Sequence, residues 1–186
     1  MDMMAFDGRK KAEQGIFEPL RHPYTGKPFS TGKDAPGFYV RGLAARSVQS
    51  RLADMQRKAK TAVESGDDET AAMERLHEAL IEDALKYIIR ADDAMEYDGA
   101  LVGDDPDLIR KVLDSTFPEM RTVKDADGNV VTQKARVPVT DDEGKETGEK
   151  EEIDVPKFEM ANEPFAQQIG NAAKDGSLFF GKTSKG

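Results

Sequence analysis

The fold is decided by residues 73–91, which read MERLHEALIEDALKYIIRA. Apolar side chains recur there every three or four positions, a spacing that places them on one face of an α-helix. The residues on that face are Met73, Leu76, Leu80, Ala84, Tyr87, Ile88 and Ala91. Because Ile81 and Leu85 widen the apolar stripe, we predict a well-buried helix that ends near Ile89.

Three further helices are predicted, one before this stretch and two after it. The spacing of apolar residues over 48–62 predicts one helix upstream. Downstream, Asp105 is expected as the N-cap of a helix with Pro106 in its first position, and Phe117-Pro118 ends that helix. A last helix is expected to begin near Phe165 and to stop at Gly176.

Two segments favour β-structure instead. Residues 16–40 are rich in proline and glycine, with short aromatic or β-branched runs at both ends, which is typical of a small hairpin. Residues 121–155 contain the turn sequence Asp125-Ala126-Asp127-Gly128-Asn129 and a β-rich stretch from Val130 to Val139. Seven acidic residues and two lysines follow between 141 and 152, which indicates a solvated loop at the hairpin tip.

These patterns predict an α+β fold that is mainly α. A short N-terminal β-hairpin precedes a small helical bundle, and a charged β-hairpin is inserted before the last helix. The expected organisation is a flexible N-terminus (1–15), a β-hairpin plus helical core (16–120), an inserted acidic β-hairpin (121–160), and a C-terminal helix and tail (161–186).

The amino-acid composition argues against several classes of function. The net charge is −9, with 36 acidic and 27 basic residues among 186, so a nucleic-acid partner is not expected. The chain has no cysteine, which excludes disulfides, thiolate metal sites and cysteine nucleophiles. No apolar run approaches the length of a membrane span, so no membrane partner is expected either.

No residue pattern predicts catalysis, a metal site or a cofactor site. The 125–129 segment only partly resembles a calcium loop, because Arg136 stands where the twelfth-position glutamate belongs, and a hairpin turn is the preferred interpretation. The Asp67/Asp68, Asp92/Asp93 and Asp104/Asp105 pairs lie at helix ends, where capping explains them. His22 and His77 are interpreted as surface residues.

Charge is segregated along the chain. Arg41 to Lys60 carries six basic residues and one acidic residue, whereas Glu64 to Asp105 carries fourteen acidic and three basic residues. Two interpretations stay open: attraction between neighbouring helices, or opposite faces for head-to-tail self-assembly.

Several short motifs occur in an order that matches a known family. They are Pro23-Tyr24-Thr25-Gly26-Lys27-Pro28, Phe38-Tyr39-Val40-Arg41-Gly42, Arg46-Ser47-Val48-Gln49, Glu96-Tyr97-Asp98-Gly99, the helix from Leu108 to Pro118, and the segment from Phe165 to Phe180. In this order they resemble the tail assembly chaperones of long-tailed, lambda-like bacteriophages. The resemblance covers roughly residues 16–120 and 162–182, and the acidic hairpin has no counterpart in it.

The resemblance implies a non-catalytic protein that binds and solubilises the tape-measure protein during tail morphogenesis. An amphipathic helix of the tape measure would lie in an apolar groove. The implied contact residues are Met73, Leu76, Leu80, Tyr97, Phe165, Phe179 and Phe180. It also implies a longer frameshifted product that contacts the tail tube protein, and residence in the host cytoplasm during infection rather than in the mature virion.

Three other interpretations remain open at this stage. One is a minor virion structural protein of the tail or the head–tail junction, which would share the acidic, helical character. The others are a small enzyme that uses carboxylate pairs with a metal, and an acidic decoy for a nucleic-acid-binding protein.

Overall fold

The computed structural model describes residues 8–30, 35–49, 69–140 and 146–180. These residues form two compact units. The larger unit contains the described residues up to Pro118 and those from Glu163 onward, and the smaller unit is Glu119–Asn162.

The larger unit combines helices with short strands. Its helices are α1 (Gly8–Gln14), α2 (Glu69–Tyr87), α3 (Pro106–Asp114), α4 (Phe165–Lys174) and α5 (Gly176–Phe180), with a further helical turn over 46–49. Its strands are β1 (Ile16–Pro19), β2 (Gly37–Val40), β3 (Ile88–Ala91), β4 (Glu96–Tyr97) and β5 (Ala100–Leu101). Strands β1, β2 and β3 form an antiparallel sheet in that order, and β4 pairs with β5.

One hydrophobic core joins the sheet to α2, α3 and α4. Phe38 and Val40 alternate with Tyr39 along β2, so both point to the inner face, where each is fully buried. Its largest fully buried side chains are Tyr87, Phe38, Leu20, Ile81, Leu113, Ile169, Val40, Val48 and Val102. On the outer face, the rings of Phe17 and Tyr39 lie 5.5 Å apart, and the Arg90 guanidinium lies 4.4 Å from the Tyr39 ring centre.

The edge strand β1 carries features that discourage the addition of another strand. Pro19 lacks a backbone N–H, and Glu18 lies opposite Phe38 on the inner face of the sheet. Burial raises the pKa of the Glu18 carboxyl, Arg21 opposes that shift, and Asp175 adds to it. An inward-pointing acid on an edge strand keeps the sheet at three strands.

The smaller unit consists of two antiparallel pairs. Strand β6 (Met120–Thr122) pairs with β9 (Phe158–Met160), and β7 (Thr132–Thr140) pairs with β8 (Glu146–Pro156). We call the β7–β8 pair the ribbon. Residues 125–129 form the turn between Lys124 and Val130, which bridge each other.

The prediction of a mainly α fold is wrong, because the described residues contain comparable amounts of helix and strand. Helix α2 ends at Tyr87, and the next four residues form β3 rather than its last turn. Ile88 and Ile89 are β-branched and suit either structure, and pairing with β2 decides between them. Most of the acidic loop expected at the ribbon tip is strand β8, where basic residues of β7 face its carboxylates.

Other sequence predictions are confirmed. Ile16–Glu18 pairs with Phe38–Val40 as expected for the N-terminal hairpin. Asp105 caps α3 by accepting the N–H groups of Asp107 and Leu108, with Pro106 in the first turn. Residues 8–14 differ from the expectation of a flexible N-terminus, because they form α1, in which Ala12 is fully buried. The helix predicted over 48–62 lies mostly outside the described residues.

Candidate partner-binding surface

The seven predicted contact residues do not form one exposed surface. Phe165 and Phe179 belong to the hydrophobic core, with 9% and 4% of their surface exposed. Leu80 and Tyr97 are half-buried against that core, and Met73 is half-buried on α2. Leu76 is 36% exposed, and the side chain of Phe180 lies outside the described residues.

The candidate surface that the structure indicates instead begins at the loop of residues 21–29. Inside the loop, the N–H groups of Gly26 and His22 donate 2.8 Å hydrogen bonds to the carbonyls of His22 and Lys27. Gly26 has a φ of 66°, a conformation that suits glycine. The Pro-Tyr-Thr-Gly-Lys-Pro sequence therefore closes on itself as a tight turn and leaves its aromatic side chains outside.

Gln168 fixes this loop to helix α4. Its amide accepts the Arg21 N–H at 2.9 Å and donates to the Arg21 carbonyl at 2.9 Å and to the Glu163 carbonyl at 3.0 Å. The Glu163 N–H donates to the Pro23 carbonyl at 2.8 Å. Because Gln168 is 7% exposed, these bonds form away from competing water and hold the loop in one position.

A connected series of rings starts at this loop. The His22 ring lies 6.0 Å from Tyr24 and 5.8 Å from Phe29, and Phe29 packs edge-on against Phe165 at 6.0 Å. The Phe165 N–H donates to Thr116 Oγ1 at 2.9 Å.

Phe117, the residue after Thr116, belongs to a second ring group, because its ring lies 4.8 Å from the His77 ring. We call the two ring groups together the aromatic belt. Its members are His22, Tyr24, Phe29, Phe165, Phe117 and His77.

Much of the aromatic belt faces solvent. Tyr24 is 62% exposed, Phe29 is 49% exposed and Phe117 is 46% exposed. Leu76, the neighbour of His77 in sequence, adds a further exposed apolar side chain. Apolar side chains exposed singly are ordinary, but three exposed aromatic side chains in two ring groups favour an interaction site.

His77 is a buried residue, so its interpretation as a surface residue is wrong. It is 5% exposed, and its Nε2 lies 2.8 Å from Asp114 Oδ1. Its Nδ1 is buried and has no hydrogen-bond partner among the residues that the structure describes. The ring contacts that of Phe117 at an interplanar angle of 52°, and the bond to Asp114 joins α2 to the end of α3.

A polar cluster at the α2–α4 contact sets the position of α4 and hence of Gln168. The Asp83 carboxylate accepts hydrogen bonds from Lys174 at 2.9 Å and Lys86 at 3.1 Å. Burial acts to raise the pKa of Asp83, but the hydrogen bonds and charges of the two lysines outweigh it, and the pKa is lowered. Burial, together with the charge and hydrogen bond of Asp83, raises the pKa of Tyr87 to about 12.

The acidic side chains of the described residues are the candidates for a metal site. Across them, no three His, Asp or Glu side chains converge in a way that would hold a metal ion. Asp125 Oδ1 accepts the N–H groups of Asp127 and Asn129, at 2.9 and 2.8 Å, so this carboxylate serves its own turn. Among the described helices, none is long and apolar enough to cross a membrane.

A cleft of about 280 Å³ lies beside Phe179. Its lining includes Ala12, Gly42, Leu43 and Ala173. A Cβ at Gly42 would lie 3.0 Å from the Phe179 ring, so a larger residue there would require the ring to shift. Phe179 therefore fills the core beside this cleft, which accounts for its burial.

Sequence reasoning missed Tyr24, Phe29 and Phe117 as candidate contact residues. The sequence contains a signal for Tyr24 and Phe29, because they lie inside and beside a proline–glycine turn. Aromatic residues in such a turn belong to no strand that could bury them. No comparable signal marks Phe117, since helical spacing predicts it on the core face of a helix that continues to Phe117.

No protein-family model, curated protein or solved structure matches this chain.

Proposed function

We propose that the protein is a non-catalytic tail assembly chaperone of a long-tailed bacteriophage, which binds and solubilises the tape-measure protein. The aromatic belt carries this proposal: exposed rings are held in place by hydrogen bonds beneath them. The order of sequence motifs supports the family in this proposal, and the exposed rings of the aromatic belt support the choice of surface.

A fixed aromatic surface suits a partner that exposes apolar helix faces. Tyr and Phe side chains supply large contact area and lose little rotational freedom on binding. Since the loop is already held by Gln168, binding requires little further ordering of the backbone. An amphipathic helix laid along the aromatic belt would bury its apolar stripe against Tyr24, Phe29 and Phe117.

Charge on α2 favours solubility of the complex. Glu78 and Glu82 both pair with Arg110 of α3, which fixes this acidic side of the helix pair. The remaining acidic excess on the chain keeps a chaperone–partner complex in solution while apolar helix faces are covered.

The proposal is tested by co-expression with the long helical protein encoded in the same gene cluster. We expect the tape-measure protein to become soluble and to co-purify with the wild-type chain. Tyr24→Ala combined with Phe29→Ala should lower the soluble yield at least about fivefold, because two exposed anchors are removed.

Leu101→Ala is the matched control. Leu101 is 63% exposed, similar to Tyr24, but lies on β5 outside the aromatic belt, so the soluble yield should not change. A tape-measure protein that stays insoluble beside folded wild-type chain would refute the proposal. Stoichiometric amounts of the chain in purified virions would favour a structural role instead.

A further inference from the structure

The ribbon has two chemically different faces. Side chains alternate between the faces of a strand, and the register places Lys134 opposite Asp154 and Arg136 opposite Glu152 on one of them. The other face holds the intervening residues, with Ala135 opposite Ile153 and Gln133 opposite Val155.

The charged face is satisfied within the ribbon. Lys134 Nζ lies 3.1 Å from Asp154 Oδ1, and Arg136 Nε lies 3.0 Å from Glu152 Oε1. These pairs neutralise four charges directly across the two strands and stabilise the register. These four charges are therefore already paired within the ribbon, and this face is a weaker candidate for partner binding.

The apolar face lacks an equivalent cover within the ribbon. Its members are Ala135, Val137, Val139, Ile153 and Val155. Ile153 is 37% exposed, and the other four are half-buried. A two-stranded pair is only marginally stable in water unless something packs on its apolar face.

We propose that this face binds a polypeptide segment that carries both apolar and cationic side chains. Between residues 132 and 156, which include both strands of the ribbon, the chain has eight acidic and four basic residues, a net charge of −4. Glu151 lies opposite Val137, so an exposed carboxylate borders the apolar surface itself. A segment that alternates lysine or arginine with apolar residues matches both properties at once.

The same charges disfavour other occupants. Nucleic acid and anionic lipid surfaces are repelled by a net charge of −4. A second copy of the chain brings the same excess of acidic residues, which opposes the pairing of two such faces.

Three peptides of twelve residues test the inference with the full-length chain. One alternates leucine with lysine, one alternates leucine with glutamate, and one alternates serine with lysine. We expect the leucine–lysine peptide to bind at least about tenfold more tightly than either other peptide, because only it supplies both contacts. Isothermal titration calorimetry measures the three affinities.

Variants of the ribbon locate the site. Val137→Thr combined with Ile153→Thr keeps β-branched residues in both strands and should weaken leucine–lysine binding at least about fivefold. Val130→Thr is the control, because Val130 is 46% exposed in the same unit but lies outside the ribbon. Glu151→Lys leaves both apolar residues in place and should reduce the preference for the leucine–lysine peptide over the leucine–glutamate peptide.

Three results would overturn the inference. The first is binding of the serine–lysine peptide as tight as that of the leucine–lysine peptide, which would mean that the ribbon recognises charge alone. The second is leucine–lysine binding that neither the threonine pair nor Glu151→Lys changes. The third is a wild-type dimer that the threonine pair abolishes, which means that a second copy covers the face. None of these depends on the tape-measure protein, so the proposed function is tested separately.

Discussion

The two units are stabilised in different ways. The larger unit buries a continuous set of aromatic and branched side chains, among them Tyr87, Phe38 and Ile81. In the ribbon, by contrast, every side chain that the structure describes is exposed or half-buried. A buried core holds the aromatic belt on a fixed base, whereas the ribbon depends on backbone pairing and cross-strand ion pairs. The same kind of substitution should therefore have very different consequences in the two units.

The largest expected effect is on the core. Phe38→Ala removes a fully buried ring from the central strand, and the larger unit should lose about 3–5 kcal/mol of unfolding free energy. Urea unfolding followed by near-ultraviolet circular dichroism measures the change. Ile153→Ala in the ribbon is the comparison, with an expected loss below about 1 kcal/mol because the residue is 37% exposed. Equal losses of unfolding free energy in the two variants would contradict the claim that the two units are stabilised in different ways.

The next effect concerns the support of the aromatic belt. Gln168→Ala leaves the Arg21 N–H and carbonyl without their side-chain partner and should cost about 1–3 kcal/mol. Gln167→Ala is the matched control, since that amide bonds only to the side chain of Asn171 on the same helix. Thermal unfolding reports both changes. A Gln168 variant as stable as the control would show that the loop does not depend on this residue.

The unfolding free energy is expected to fall at alkaline pH because of Tyr87. Its pKa of about 12 in the folded protein exceeds the ordinary value of 10, so the folded state keeps a proton that the unfolded state releases. Stability from this group is full below pH 10 and is lost as the pH rises toward 12. Tyr87→Phe has no phenol and should lose less unfolding free energy over that interval. Denaturant titrations at several pH values compare the two slopes, and identical slopes would contradict the assignment.

The smallest expected effect is within the ribbon. A double-mutant cycle of Arg136→Ala and Glu152→Ala should give a coupling energy below about 1 kcal/mol, because both side chains are exposed to solvent. Raising the salt concentration should reduce it further. A coupling of several kcal/mol would mean that the pair is shielded from water, contrary to the exposure of both residues.

Local sequence signals predicted the features that depend on neighbouring residues. The Asp105 cap, the turn at 125–129 and the pairing of Ile16–Glu18 with Phe38–Val40 all belong to this class. The strand at Ile88–Ala91 was missed because its apolar residues suit a helix equally well, and only the position of β2 selects the strand. Strand β8 was missed because composition does not show that Lys134 and Arg136 lie opposite its carboxylates.

The candidate site was harder to predict than the fold. Spacing identified Phe165 and Phe179 as apolar residues near a terminus, but only packing shows that both are buried. The contacts that connect Phe29 to Phe165, and Phe165 to Thr116, join residues far apart in sequence. No local pattern contains that information.

The central claim is that the aromatic belt of the larger unit holds the tape-measure protein. Hydrogen exchange of the full-length chain, alone and bound to that protein, tests the claim most directly. We expect slower exchange at residues 21–29 and 165–168 in the complex, and loss of that protection with Tyr24→Ala and Phe29→Ala. Protection confined to the ribbon, residues 132–140 and 146–156, with unchanged exchange at 21–29, would contradict it.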